Sequence, residues 1–149
     1  MDMNLSKLTH VSEAYLKWMN DAEVMKYTQA RYTTWTHDKL YKYIENPNLF
    51  GIMVDRLHVG NIKIDISRHG IGEVGIIIGK DHWGKGYATE AVIRMNGYAK
   101  FKGVRKLIAC IYSENKSSIR VFKKAGYRCW AVLKKYYGES DNVIMGKDL

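Results

Sequence analysis

Proline is almost absent from this chain: Pro47 is the single one in 149 residues. Cysteine is nearly as scarce, and Cys110 and Cys129 come with neither a CxxC pair nor clustered histidines. That excludes a disulfide-built module and a cysteine metal site, and leaves two buried free thiols of a cytoplasmic protein as the expectation. No run approaches the roughly 18 consecutive apolar residues of a membrane span. The first residues, MDMNLSKLTH, lack the pattern of a secretory leader. No linker-like Ser/Gly stretch, low-complexity segment or internal repeat divides the sequence, so residues 1–149 read as a single domain. Acidic residues are also few, 15 against 24 Lys and Arg, for a net charge of +9. Such a balance suits nucleic acid, an anionic membrane surface, a phosphorylated small molecule, or simply a solvated basic face, and charge does not choose among them. The rest is ordinary: 46% apolar and 26% charged residues exclude disorder and allow a packed core.

The hydrophobic period changes along the chain. The N-terminal third reads helical, with Ser12 capping a segment through Met19, Asp21 opening a short turn through Tyr27, and Thr36 capping a helix that ends near Asn46-Pro47. Aromatic residues crowd this region (Tyr15, Trp18, Tyr27, Tyr32, Trp35, Tyr41, Tyr43), either as helix faces against a sheet or as an acceptor pocket. From Leu49 the period is two. LFGIMVDR and HVGNIKIDIS read as antiparallel strands around Asp55–Leu57, with Ile62, Ile64 and Ile66 alternating against Asn61, Lys63 and Asp65. A turn at His69-Gly70 leads to IGEVGIIIG, a third strand. After the loop KDHWGKG, Ala88, Ala91, Val92, Met95, Tyr98 and Ala99 form a continuous helical stripe that Gly103 ends. KLIACIY, a short helix ended by Gly126, and two closing strands complete an α/β domain with a mixed sheet.

The chemistry-bearing feature is Trp83-Gly84-Lys85-Gly86-Tyr87-Ala88, placed between a strand and a helix. Glycines at 84 and 86 let backbone approach a ligand, and the new helix offers unpaired N–H groups and a positive dipole end, a combination that holds phosphate oxygens. A plain tight connection would look the same. A P-loop is excluded because Gly86 stands where Ser or Thr must hold magnesium. A dinucleotide fingerprint fails because Thr89 occupies its third glycine position.

Motif, order and spacing together resemble the GNAT N-acetyltransferase superfamily, whose phosphate loop is written Q/R-x-x-G-x-G/A. Gly86 and Ala88 fall on the small-residue positions, while Trp83 replaces the usual Gln or Arg. WGKGYATEA is similar to the branch of ribosomal-protein N-terminal and amino-sugar acetyltransferases. Asn115-x-x-Ser118 followed by FKKAGY resembles the N-x-x-S-x-x-x-[LFY]-x-K-x-G-[FY] signature of that branch, and YLKWMNDAEVMKY is similar to a segment of sugar-nucleotide acetyltransferases. The resemblance implies a single domain with a central, mixed, mostly antiparallel twisted sheet flanked by helices. It also implies acetyl-CoA as co-substrate and no metal.

On that resemblance, the strand of Ile76, Ile77 and Ile78 and the strand Leu107–Tyr112 splay to admit the pantetheine arm. Gly84, Lys85, Gly86, Tyr87 and Ala88, with Trp83, hold the pyrophosphate, and a backbone N–H near Ile78 polarises the thioester carbonyl. Direct attack by a primary amine needs no covalent enzyme intermediate. The tyrosine that protonates the thiolate in many members is Phe122 here, so the branch implies Ser118 as acid, with Asn115 holding the cofactor arm; both are also ordinary helix-cap residues. Glu73 can take the amine proton, or it is a solvated edge carboxylate. His58, His69 and His82, read as loop residues, are alternative bases or merely exposed. The expected acceptor is a small-molecule amine, an amino sugar or nucleotide-linked amino sugar, with a protein N terminus as the alternative. A nucleic-acid-binding module is the non-enzymatic alternative, opposed by scattered basic residues and no RNA-binding motif. No membrane association is expected, and a homodimer is left open.

Overall fold

The computed structural model describes residues 1–149. Seven strands follow in chain order: β1 (Met3–Ser6), β2 (Leu49–Val54), β3 (Leu57–Ile66), β4 (Ile71–Ile78), β5 (Lys106–Tyr112), β6 (Arg128–Tyr137) and β7 (Ser140–Asp148). Four α-helices accompany them: α1 (Glu13–Met19), α2 (His37–Tyr43), α3 (Tyr87–Phe101) and α4 (Lys116–Lys124). The strands form one mixed sheet in the order β1-β2-β3-β4-β5-β7-β6. β4 and β5 run parallel, whereas β1–β2, β2–β3, β5–β7 and β6–β7 are antiparallel. This is the α/β class expected. No helix is long and apolar enough to cross a membrane.

The chain packs as two compact units, Met1–Lys63 with Ile76–Tyr87, and Ile64–Gly75 with Ala88–Leu149. In the first, Ser12 Oγ accepts from the Tyr15 N–H at 3.1 Å and opens α1, as expected of an N-cap. A helix of 7 residues is marginal alone. It is held by burying Tyr15, Trp18 and Met19 with Val11, Leu40 and Ile44, each large side chain contributing about 2–3 kcal/mol of apolar burial. Thr36 caps α2 in the same way, through the Lys39 N–H at 3.2 Å. Asp55 and Arg56 both take positive φ (48° and 70°), the geometry of a two-residue hairpin turn, and join β2 to β3.

β1 differs from the sequence reading, as does a 3-10 helix over Gln29–Tyr32. The N terminus is not wholly helical: Met3–Ser6 pairs antiparallel with β2, Met3 opposite Val54 and Ser6 opposite Gly51. Lys7 follows, its Nζ donating to the carbonyls of Ile44 and Leu49 at 3.1 Å each.

In the second unit α3 buries Ala91, Val92, Met95 and Ala99, the stripe read from the sequence. Leu107, Ala109 and Met145 of β5 and β7 are fully buried as well. Asn96 ties α3 to the turn after α4: its Nδ2 donates to Ala125 O at 3.1 Å, and its Oδ1 accepts from the Tyr127 hydroxyl at 2.9 Å. The expectation of two buried thiols holds poorly. Cys110 is half-buried and Cys129 is exposed, because β6, which carries Cys129, is the last strand of the sheet order and its residues are mostly exposed.

Candidate functional site

The end of β4 and the loop that follows it lie within the first unit. The Gly79 N–H donates to Val59 O of β3 at 2.8 Å. Since successive residues of a strand turn their N–H and C=O to opposite edges, Ile78 and Ile76 direct theirs to the edge away from β3. The β4–β5 ladder runs only from Ile71↔Lys106 to Glu73↔Ile108, so β4 continues to Ile78 without that pairing. The strand thus keeps backbone groups at Ile76 and Ile78 that the ladder does not use. Ile77 packs on the Tyr15–Trp18 core instead.

Beyond β4, a single 3-10 turn over Lys80–His82 is closed by His82 N–H to Gly79 O (2.9 Å) and Trp83 N–H to Lys80 O (3.2 Å). The Trp83 indole N–H then folds back and donates to Ile78 O at 2.8 Å. On the other side of the corner, a Cβ at Gly79 would lie 2.3 Å from the Trp18 ring, so only glycine fits there.

Gly84 and Gly86 both take positive φ, +74° and +79°, and apart from each glycine and its two chain neighbours no atom of the protein lies within 4 Å of where their Cβ atoms would be. Packing therefore does not require glycine at either position; the backbone conformation does, and it leaves open space over the loop. α3 begins at Tyr87 immediately after, so Tyr87, Ala88 and the next residues carry the N–H groups of a helix N-terminus without intrahelical partners. Lys85 between the glycines is exposed. Open space, paired positive-φ glycines, a lysine and a helix start make a cradle suited to phosphate oxygens.

Glu73, Asn115 and Ser118 belong to the second unit. Glu73 is exposed on β4, opposite Ile108 and thus on the sheet face of Cys110 and Tyr112. Burial raises the Cys110 thiol pKa, an effect its contact with Asn142 Nδ2 at 3.1 Å opposes and the Glu73 charge adds to. Burial raises the Tyr137 phenol too, with Cys110, Tyr136 and Glu73 adding to it; its ring stands edge-on to Tyr112 at 5.5 Å. Asn115 is the N-cap of α4, its Oδ1 accepting from the Ser118 N–H at 3.2 Å. Ser118 sits half-buried in the first turn of that helix. No hydrogen bond or ion pair joins Ser118 to Glu73. Phe122 is buried edge-on against Tyr127 at 4.9 Å.

The sequence reading missed a polar cluster in the first unit. His58 is not a loop residue but lies on β3, half-buried, its ring 5.5 Å from Tyr15 and 5.1 Å from Trp18. His58 Nε2 and Asn61 Oδ1 share a hydrogen bond of 2.8 Å. Burial is the main force holding the His58 pKa below its ordinary 6.5, with nearby His82 pushing the same way. Asn61, read as an outward-facing position, is 4% exposed because it partners His58. Tyr15, fully buried, has its phenol pKa raised by desolvation. His82 stands edge-on to Trp18 at 6.1 Å, and His69 lies exposed in the turn before β4. No group of three His, Cys, Asp or Glu side chains is placed to hold a metal ion.

A parallel β4–β5 step, a glycine cradle after β4 and a helix rising from it define a protein of the acetyltransferase fold. The sequence matches the acetyltransferase (GNAT) domain over residues 3–128, and the chain belongs to that family. It is similar to a protein named Uncharacterized N-acetyltransferase p20 of Bacillus licheniformis, 30% identical over 71 residues, 47% of this chain and 40% of that protein. The match thus spans less than half the length of that curated relative. Among solved structures, a GNAT-family acetyltransferase from Bacillus anthracis superimposes with a TM-score of 0.85 at 22% identity, covering 99% of this chain and 95% of that one. The yncA protein of Salmonella typhimurium, solved with acetyl-CoA, superimposes with a TM-score of 0.83 at 18% identity, covering 100% and 95%. At these identities the structures establish the shared fold.

Proposed function

We propose that this chain transfers the acetyl group of acetyl-CoA to a primary amine on a small molecule, an amino sugar or nucleotide-linked amino sugar. The observation that carries the acetyl-CoA half is the open space over Gly84 and Gly86 at the start of α3. The residues present suit the pyrophosphate there: N–H groups from Gly84 to Ala88 with the Lys85 ammonium. Bound acetyl-CoA supplies an electrophilic thioester. The Ile78 N–H, directed to the edge of β4 away from β3, donates to its carbonyl oxygen and stabilises the charge that grows as the amine attacks. Asn115 steadies the pantetheine arm, Ser118 gives a proton to the departing thiolate, and Glu73 takes the proton from the amine. Orientation of amine and thioester supplies a further part of the acceleration. The reading carries a cytoplasmic location with it.

The sugar half draws on the N-terminal aromatics. Tyr15 and Trp18 belong to the core, but Tyr32 is 73% exposed, with the Arg31 guanidinium 4.7 Å from its ring. Lys26 stands 5.2 Å from the Tyr27 ring. Rings that stack on a sugar or base, beside cations that meet a diphosphate, suit a nucleotide-linked acceptor. The alternative acceptor is the N terminus of a ribosomal protein, favoured by the similarity of WGKGYATEA and Asn115-x-x-Ser118 to that branch. A competition assay separates them: a UDP-linked amino sugar against N-terminal peptides at equal concentration. The sugar reading expects the sugar to be acetylated preferentially; a peptide with kcat/KM about tenfold higher, a difference of about 1.4 kcal/mol, establishes the alternative.

A further inference from the structure

We infer that Trp83 is a positioning residue for the acetyl-CoA loop: by donating its indole N–H to the Ile78 carbonyl, it fixes where Gly84-Lys85-Gly86 starts relative to the end of β4. The inference rests on the acetyl-CoA reading above and adds a role for a side chain that the loop motif itself does not assign.

Burial does not explain a tryptophan at this position, since Trp83 is 46% exposed. The hydrogen bond of its side chain is the 2.8 Å bond to Ile78 O, five residues back. Between those ends the backbone is secured by one 3-10 turn, a short element of poor hydrogen-bond geometry. The indole bond closes that segment into a ring. Trp18 closes it from the other side, since its ring fills the space over Gly79. With the β4 end anchored by Gly79 N–H to Val59 O, the two tryptophans leave the loop little freedom before Gly84. Binding of the pyrophosphate then orders fewer backbone groups, which raises affinity.

The bond has a second effect at the same place. The N–H and C=O of Ile78 face the same edge of β4. A bare carbonyl there would attract water and repel a thioester oxygen approaching the neighbouring N–H. With the indole on Ile78 O, that edge offers a donor at Ile78 and a satisfied acceptor. The requirement is therefore for an N–H donor reaching Ile78 O, not for an aromatic ring. Glutamine carries such a donor on a side chain without a ring.

The test compares Trp83→Phe, which keeps a ring and loses the donor, with Trp83→Gln, which keeps a donor and loses the ring. Acetyl-CoA affinity is measured by calorimetry and steady-state kinetics by CoA release. One hydrogen bond lost predicts a Kd about five- to tenfold weaker for Trp83→Phe. The loss should appear in KM, and kcat at saturating acetyl-CoA should fall as well, because the uncovered Ile78 carbonyl opposes the charge that grows beside the Ile78 N–H. Trp83→Gln should restore Kd, and it decides alone if Trp83→Phe fails to fold. Wild-type affinity in Trp83→Phe, or equal loss in Trp83→Gln, overturns the positioning role while leaving the acetyl-CoA reading intact. Absence of acetyl-CoA binding in the unsubstituted protein overturns both.

Discussion

Gly86→Ala adds one methyl group to a place where the protein has nothing. The native φ is +79°, so alanine there costs about 1–2 kcal/mol of backbone strain. No packing contact adds to that cost, because no atom beyond the residue and its two chain neighbours lies within 4 Å of the new Cβ. For a domain of this size the strain lowers Tm by about 2–8 °C and leaves the chain folded at 25 °C. The same methyl projects into the space assigned to the pyrophosphate, where backbone N–H groups must come within hydrogen-bond distance of its oxygens. Acetyl-CoA affinity should therefore fall at least about tenfold, more than 1.4 kcal/mol. Gly79→Ala is the contrasting case: its Cβ would meet the Trp18 ring at 2.3 Å, so overpacking destabilises the fold by about 1–3 kcal/mol through a core contact. Thermal melts and titration calorimetry on both variants separate the two effects. A folded Gly86→Ala protein that binds acetyl-CoA as tightly as the parent would refute the assignment of that space.

Three further outcomes follow from particular side chains. Ser118→Ala should lower kcat about 10- to 1,000-fold while leaving acetyl-CoA affinity near that of the parent; an unchanged kcat leaves the thiolate's proton to solvent. Gly97, within α3 at ordinary helical φ and facing open space, should accept alanine with a gain of about 0.5–1 kcal/mol, read as a higher Tm; a lower Tm would contradict the room at that position. His58 is held below its ordinary 6.5, so the unfolded chain takes up the proton first as pH falls. The stability tied to a neutral His58 is complete above about pH 6.5 and lost below it, whereas Asp21 and Asp141, held low by donated N–H groups, act only below their ordinary 3.8. Melts between pH 7.5 and 5 should show a falling Tm that His58→Gln flattens, and parallel curves would remove His58 as the cause.

Much of this architecture was legible because the elements that place the loop are strongly patterned. The α3 stripe through Ala91, Met95 and Ala99, the helix caps at Ser12 and Thr36, and the Asp55-Arg56 turn each follow from local rules that the packing does not override. β1 escaped because four residues with Met3 and Leu5 as the apolar pair carry no period of their own, and what makes them a strand is pairing with β2. Asn61 escaped because alternation reports which face a residue takes, not whether a polar partner waits there; His58 supplies that partner. Cys129 looked buried from its apolar neighbours, yet strand order puts it at the edge of the sheet. At the site, the spacing of Gly84, Gly86 and the helix start was readable. The bond from Trp83 back to Ile78 was not, because side-chain direction across a turn is fixed by the three-dimensional path of the loop. The roles of Ser118 and Glu73 come from motif and strand position for the same kind of reason, since neither carries a side-chain bond that marks a reacting group.

The central claim, acetyl transfer from acetyl-CoA to a primary amine, is tested most directly by mixing the protein with acetyl-CoA and a panel of amino sugars, UDP-linked amino sugars, N-terminal peptides and polyamines. Free CoA thiol and the mass of each amine are followed together. The account predicts CoA release matched one for one by an amine gaining an acetyl group, fastest with a sugar amine. No CoA release above the buffer rate with any amine, together with no calorimetric binding of acetyl-CoA, would contradict it.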